Sequence, residues 1–230
     1  MKLKTGLWLA MAAALLLGLG LWAAEHTTVD LSKMPIGPMK FTGQVSIETR
    51  SSGQSLWVAI ETRKGGVLAA GGAMSVGGHP VPYKTSLYMK LLAPTSIHAG
   101  DTVPISFTAP WPGLPAYSAT LAAPLLIQVS APREGSHVAS SPGRNLEVRW
   151  TGGTPPYRFD IKKTSPGDPI VILRDLAVGR ASVPFASLTP GLEYVIIITD
   201  ANRYYAFAPA VDPATRVYLR QMIWVHFFLD

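Results

Sequence analysis

The fold of this chain is decided by residues 188–198, which read Leu188-Thr189-Pro190-Gly191-Leu192-Glu193-Tyr194-Val195-Ile196-Ile197-Ile198. A Pro-Gly turn comes first, and a run rich in β-branched side chains follows it. Turn residues and short apolar runs alternate in the same way along the whole chain, which contains 21 Gly and 20 Pro among its 230 residues. Many short strands with frequent turns are typical of a β-sandwich or barrel, so we predict an all-β fold.

Two further strands are predicted upstream of this stretch. Residues 145–150 alternate polar and apolar side chains, which places Leu146, Val148 and Trp150 on one face. Tyr157 begins the next alternating run, directly after the turn Gly-Gly-Thr-Pro-Pro. Alternation of this kind is typical of strands that bury one face and expose the other.

This region, about residues 124–208, resembles a fibronectin type III or related Ig-like domain of a bacterial exported envelope protein. Trp150 stands where that family has its core tryptophan, Tyr157 begins the following strand, and residues 188–194 match the family's L-x-P-G-x-x-Y. The resemblance implies that the tyrosine hydroxyl bonds back to nearby backbone at a corner. It implies a fold without a particular activity, because this sandwich serves many unrelated roles. The resemblance implies a structural role for five residues, Trp150, Tyr157, Pro190, Gly191 and Tyr194.

A first sandwich is predicted ahead of this one, over residues 40–123. Residues 44–49 and 56–62 alternate with period two and are read as adjacent antiparallel strands. Ala123-Pro124 is the predicted boundary, and so short a link implies two stiffly connected domains. We therefore expect two tandem Ig-like or fibronectin III-like β-sandwich domains, at 40–123 and 124–211.

The first 24 residues predict delivery out of the cytoplasm. Lys2 and Lys4 precede an uncharged run over residues 6–24, which is the shape of an export signal. The run is also about as long as the ~20 residues that cross a bilayer as a helix. Two alternatives stay open, a cleaved signal peptide or an uncleaved anchor that holds the membrane through residues 5–24. Residues 25–39 are predicted to be a linker, and the rest to be periplasmic or extracellular.

The C-terminal segment, residues 212–230, is too apolar to stay exposed. Asp212 and Pro213 suit the N-cap and first turn of a helix, so a short apolar helix is predicted, although residues 217–219 and 222–225 also fit strands. The segment either packs on the protein's own second domain or docks on a partner or membrane. Its candidate partner-binding residues are Met222, Ile223, Trp224, Phe227 and Phe228.

The sequence offers no catalytic, cofactor or metal site. None of its five histidines has metal-ligand spacing, no G-x-S-x-G elbow is present, and the chain has no Cys. The net charge of +6 is spread along the chain, unlike the clustered Lys and Arg of a nucleic-acid surface. We therefore expect neither an enzyme nor a nucleic-acid-binding protein.

Two functions remain after these exclusions. The first is a non-catalytic, exported cell-envelope protein that acts as a structural or protein-binding unit, held to the membrane or joined to a larger assembly. Its partner is then another protein or a second copy of the chain. The alternative is a carbohydrate-binding module for cell-wall or extracellular glycan, in which Trp111 in its Pro-rich loop would stack on a sugar ring.

Overall fold

A computed structural model describes residues 34–164 and 167–230, and these contain eighteen β-strands and one 3-10 turn, Phe185–Ser187. The strands of the N-terminal half are β1 (Met39–Arg50), β2 (Gly53–Lys64), β3 (Val67–Leu68), β4 (Ala73–Val76), β5 (His79–Val81), β6 (Tyr83–Lys84), β7 (Leu87–Thr95), β8 (Thr102–Thr108) and β9 (Tyr117–Ala122). Those of the C-terminal half are β10 (Gln128–Ala131), β11 (Ser136–Val138), β12 (Asn145–Thr151), β13 (Tyr157–Lys163), β14 (Val171–Leu176), β15 (Arg180–Pro184), β16 (Leu192–Thr199), β17 (Arg203–Tyr205) and β18 (Arg216–Leu229).

Eleven of these strands form one continuous sheet that runs through both halves. Its main path is β14-β13-β16-β18-β1-β2-β7-β6, with β11 and β17 also paired to β18 and β3 paired to β2. The pairs β1–β18 and β11–β18 are parallel, and the others are antiparallel. The last strand of the chain therefore lies in the middle of the large sheet.

Two smaller sheets cover one face of the large sheet and complete two sandwiches. The four-stranded sheet β5-β4-β8-β9 encloses a core in which Phe41 packs edge-on against Phe107, with ring centroids 5.5 Å apart. The three-stranded sheet β10-β12-β15 encloses a second core that contains Trp150, Phe159 and Phe227. The all-β expectation is confirmed, and two apolar cores support the expectation of two sandwiches.

The C-terminal segment is a strand, so the predicted apolar helix is wrong. Asp212 and Pro213 form a turn: Oδ1 of Asp212 accepts a hydrogen bond from the N–H of Ala214, and its carbonyl accepts one from Thr215. The chain then extends for 14 residues in β18. The local capping signal was compatible with a helix, but pairing with β1 and β16 satisfies the backbone on both sides of the segment.

The two ends of β18 belong to different cores. Val217 and Leu219 are buried in the first core, and Val225, Phe227 and Leu229 are buried in the second. Each sandwich thus depends on a strand from the end of the chain. The division into 40–123, 124–211 and 212–230 stays a prediction, but residues 35–230 form one compact unit.

The structure does not describe residues 1–24, the predicted signal or anchor, or residues 25–33 of the predicted linker. In the part of the chain that the structure describes, no helix has the length and apolar character to span a membrane.

Candidate functional site

Tyr194 closes a corner of the second sandwich. It lies on β16 with its ring fully buried, and its hydroxyl accepts a hydrogen bond from the Thr189 N–H at 2.6 Å and donates one to the Thr189 carbonyl at 3.1 Å. Pro190 and Gly191 make the turn between these two residues, and Gly191 has a φ of +78°, which favours glycine. The Gly191 N–H also donates to the carbonyl of Leu229, so the corner is tied to β18.

Trp150 and Tyr157 lie in the second core beside this corner. The Trp150 ring meets Tyr157 edge-on at 5.5 Å and stacks on Phe159 at 6.1 Å. The Tyr157 hydroxyl donates to the Gly152 carbonyl at 2.8 Å, and burial raises the pKa of Tyr157. Trp150, Tyr157 and Tyr194 are all buried in the second sandwich, which supports the structural role that the resemblance implies for them, and that role stays a prediction.

Trp111 is buried, with 2% of its surface exposed, and it packs in the first core. The expectation that it forms a glycan-stacking platform is therefore wrong. A Pro-rich loop in sequence can fold back on the sandwich as well as project from it, and this one folds back. No ring face of Trp111 is open to a sugar.

The candidate partner-binding residues divide by the two-residue period of β18. Phe227 is fully buried and stacks on Tyr194 at 5.6 Å, and Ile223 is half-buried against the second core. Phe227 is therefore not free to bind a partner, which corrects the sequence expectation for it, whereas a binding role for Ile223 stays a prediction. Met222, Trp224 and Phe228 point to the opposite side, here called the outward face: the side of the large sheet turned away from both cores.

Trp224 is held between one cation from each sandwich. The guanidinium carbon of Arg50, at the end of β1, lies 4.3 Å from the ring centroid, and Nζ of Lys162, on β13, lies 4.7 Å from it. Cation–π contacts at partly exposed sites contribute about 0.5–1 kcal/mol each. Farther along the outward face, Phe228 is 39% exposed and stacks on His137 at 5.0 Å.

A polar cleft of about 500 Å³ lies beside these residues. Most of its lining belongs to the second sandwich, and Arg220 comes from the part of β18 that pairs with β1. Three arginines line it: Arg158 on β13, Arg174 on β14 and Arg220 on β18. Thr199, opposite Met222 in the β16–β18 pairing, also lines the cleft. The cleft and the apolar side chains of the outward face are therefore adjacent.

Beneath the cleft, Gln221 on the shared strand β18 joins the segment between β9 and β10 to the residue that follows β16. Its side-chain oxygen accepts from the Ile127 N–H at 2.8 Å, and its amide nitrogen donates to the Leu125 carbonyl at 2.7 Å. Asp200 accepts from the Gln221 backbone N–H at 2.7 Å and from Arg203 at 3.0 Å. Sequence reasoning missed this network, although a glutamine at an inward position of an apolar strand was a usable signal.

Neither a metal centre nor a catalytic group is apparent among these residues. Within residues 34–164 and 167–230, no three His, Asp or Glu side chains are placed to hold a metal ion. Ion pairs account for most of the acids nearby, including Arg50 with Glu48 and Arg158 with Asp160, both at 2.9 Å. The arrangement is suited to binding through charge and apolar contact.

Comparison with known proteins gives likeness of structure only. No family model matches the chain, and no curated protein matches it. A segment of two fibronectin type III domains from chicken tenascin is similar at 15% identity and a TM-score of 0.23, covering 83% of this chain and 94% of that one. A titin segment of three Ig domains, a mutated variant, is similar at 9% identity and a TM-score of 0.23, covering 84% and 66%. Superpositions this loose carry no argument about function.

The two neighbours named above consist of fibronectin type III and Ig domains. The strand pairings and the tyrosine corner support the same class without reference to any neighbour. The chain is an all-β protein with sandwiches of Ig-like or fibronectin III-like type.

Proposed function

We propose that this protein is a non-catalytic, exported unit of the cell envelope that binds another protein through the outward face of β18. One observation carries the proposal: Met222, Trp224 and Phe228 lie on the side of β18 turned away from both cores, on a strand in the centre of a sheet. Met222 and Trp224 are half-buried there, and Phe228 is 39% exposed. Side chains on such a scaffold lose little freedom when a partner binds, which favours affinity. Aromatic and methionine side chains are also those enriched where proteins meet.

The rigidity of the scaffold supports a structural role as well. Since β18 contributes to both cores, and Gln221 on β18 bonds Leu125 and Ile127 in the segment between β9 and β10, the two sandwiches are expected to move as one body. A partner bound across Trp224 contacts Arg50 from one sandwich and Lys162 from the other. The surface is therefore complete only when both sandwiches are folded.

Export is supported by the sequence alone, through the basic start and the uncharged run that follows it. We propose that residues 5–24 either anchor the protein in the membrane or are removed with the signal. A reporter that is active only outside the cytoplasm, fused after Thr28, should be active. Activity from a cytoplasm-dependent reporter alone would contradict the export proposal.

The binding proposal is tested by photo-crosslinking in intact cells. A photoreactive amino acid at position 222 should give a discrete adduct with a second protein. The matched control places it at Val178, which is 52% exposed and lies in the turn between β14 and β15, away from β18. Equal adducts from both positions, or none from position 222, would contradict the proposal. Trp224→Ala should reduce the adduct without changing the amount of folded protein.

The glycan alternative has lost its support, because it required Trp111 to be exposed. The protein-binding function is the one that the outward face favours.

A further inference from the structure

The polar cleft beside Met222 is shaped by an irregularity in the large sheet. Where β13 pairs with β14, the single residue Arg158 is opposed by two residues, Arg174 and Asp175, which makes a β-bulge. Asp175 has a φ of +56°, in the left-handed region that side chains other than glycine rarely adopt. Bulges reorient side chains and are common at functional sites. Here the bulge brings Arg174 to the cleft that Arg158 and Arg220 also line.

The charges around the cleft do not balance within the protein. Of its three arginines, Arg158 is paired with Asp160. Arg174 and Arg220 have no carboxylate within ion-pair distance among the described residues. Arg220 donates to the Ser46 hydroxyl at 3.3 Å, and its guanidinium carbon lies 6.0 Å from the centroid of the Tyr218 ring. The side chain of Asp200 is fully buried by Gln221 and Arg203. The remaining acid of the lining, Asp175, is exposed.

A guanidinium group that is not paired with a carboxylate of its own protein can bind a planar oxyanion. Its donors form a fork that matches the two oxygens of a carboxylate, and such charge-assisted pairs are stronger than neutral hydrogen bonds. Lys162, held over Trp224 on the same face, adds a further cation. Cations near an apolar surface attract an acidic partner and orient it before contact.

The apolar residues beside the cleft identify the class of partner. Met222 and Trp224 lie on the same strand and the same face as Arg220, at two-residue intervals. A small anion or a simple polyanion would leave these side chains without a contact. A protein segment that carries both acidic and apolar side chains would contact the arginines and the apolar residues together.

We propose that this cleft binds a carboxylate of an acidic segment of the partner protein, received by Arg174 and Arg220. The inference rests on the proposed function and deepens it, because it states the chemistry of the partner.

The test measures fluorescence anisotropy of a labelled peptide of alternating glutamate and leucine residues added to the folded protein. We expect salt-sensitive binding to the native protein. We expect a loss of about tenfold or more in the double variant Arg174→Gln/Arg220→Gln, as for the removal of charge-assisted hydrogen bonds. The matched control is Arg180→Gln on β15, in the three-stranded sheet, with Arg149→Gln on neighbouring β12 added to equalise the change in charge. When Arg174→Lys replaces Arg174→Gln in the double variant, only part of the affinity should return, because an ammonium group cannot form the forked pair of hydrogen bonds that a guanidinium group makes.

Four results would overturn this inference. Equal losses in the cleft and control variants would mean that overall positive charge attracts the peptide. Tighter binding of a single-stranded RNA than of the glutamate–leucine peptide, weakened by the cleft substitutions, would assign the cleft to a phosphate polymer. Absence of binding to the native protein would also reject it. If the adduct at position 222 persists unchanged in the cleft variants, the inference fails while the proposed function stands.

Discussion

Replacing Gln221 by leucine tests whether the two sandwiches are held together as one folding unit. The residue is 3% exposed, and leucine has a similar size, so the main loss is of hydrogen bonds. The substitution leaves the Ile127 N–H and the Leu125 carbonyl without their partners. A buried group left unsatisfied costs about 1–3 kcal/mol, so we expect a loss of about 2–5 kcal/mol of unfolding free energy.

The assay is guanidinium denaturation followed by tryptophan fluorescence and far-UV circular dichroism. Trp111 in the first core and Trp150 in the second make the fluorescence sensitive to both sandwiches. We expect one transition in the native protein and a lower midpoint, with a similar slope, in the variant. The control is Gln128→Leu, at an exposed position of β10, which should change the midpoint little. An unchanged midpoint for Gln221→Leu would refute the role of the network, and two separate transitions in the native protein would refute the single folding unit.

Three further predictions follow from the described contacts. Deleting residues 216–230 should abolish the cooperative unfolding of both sandwiches, because β1 and β16 lose the strand that pairs with both of them. A truncated chain with a sharp thermal transition and native circular dichroism would contradict this. Tyr194→Phe should lower the free energy of unfolding by about 1–3 kcal/mol, because the hydrogen bonds between its hydroxyl and Thr189 are lost. The denaturant midpoint measures this loss, and an unchanged midpoint would contradict the prediction. Burial raises the pKa of Tyr88 to about 12 from 10.0. The folded protein therefore has extra stability below pH 10, and it should lose up to about 3 kcal/mol of unfolding free energy as the pH rises toward 12. Tyr88→Phe should reduce that alkaline loss, and identical pH profiles for the two proteins would contradict the assignment.

The local parts of this fold were readable from sequence because their cause is local. Residues 188–194 contain both the turn and the tyrosine that bonds back across it, five residues apart. Alternation over residues 145–150 gave the inward face of β12, since a strand with one buried face imposes a period of two. These features do not depend on which other strands lie beside them.

The non-local parts were missed for the corresponding reason. Capping residues at positions 212 and 213 favour a helix locally, yet β18 is extended because β1, more than 170 residues earlier in the chain, pairs with it. The period-two pattern of β18 was present in the sequence, with Gln221 as its one polar inward residue. Trp111 shows the same limit, since its loop composition carries no information about which core receives the ring.

The position of β18 links the architecture to the proposed binding surface. Arg50 and Lys162 reach Trp224 from different sandwiches, so the distance between these two cations depends on how the sandwiches are held. Gln221 lies three residues from Trp224 on the same strand and bonds the link on the opposite side of the sheet. Loosening this network should therefore weaken partner binding as well as stability, even in molecules that remain folded. A Gln221→Leu protein that is destabilised but gives the full adduct at position 222, at a temperature where it is folded, would show that the surface does not need both sandwiches to be fixed.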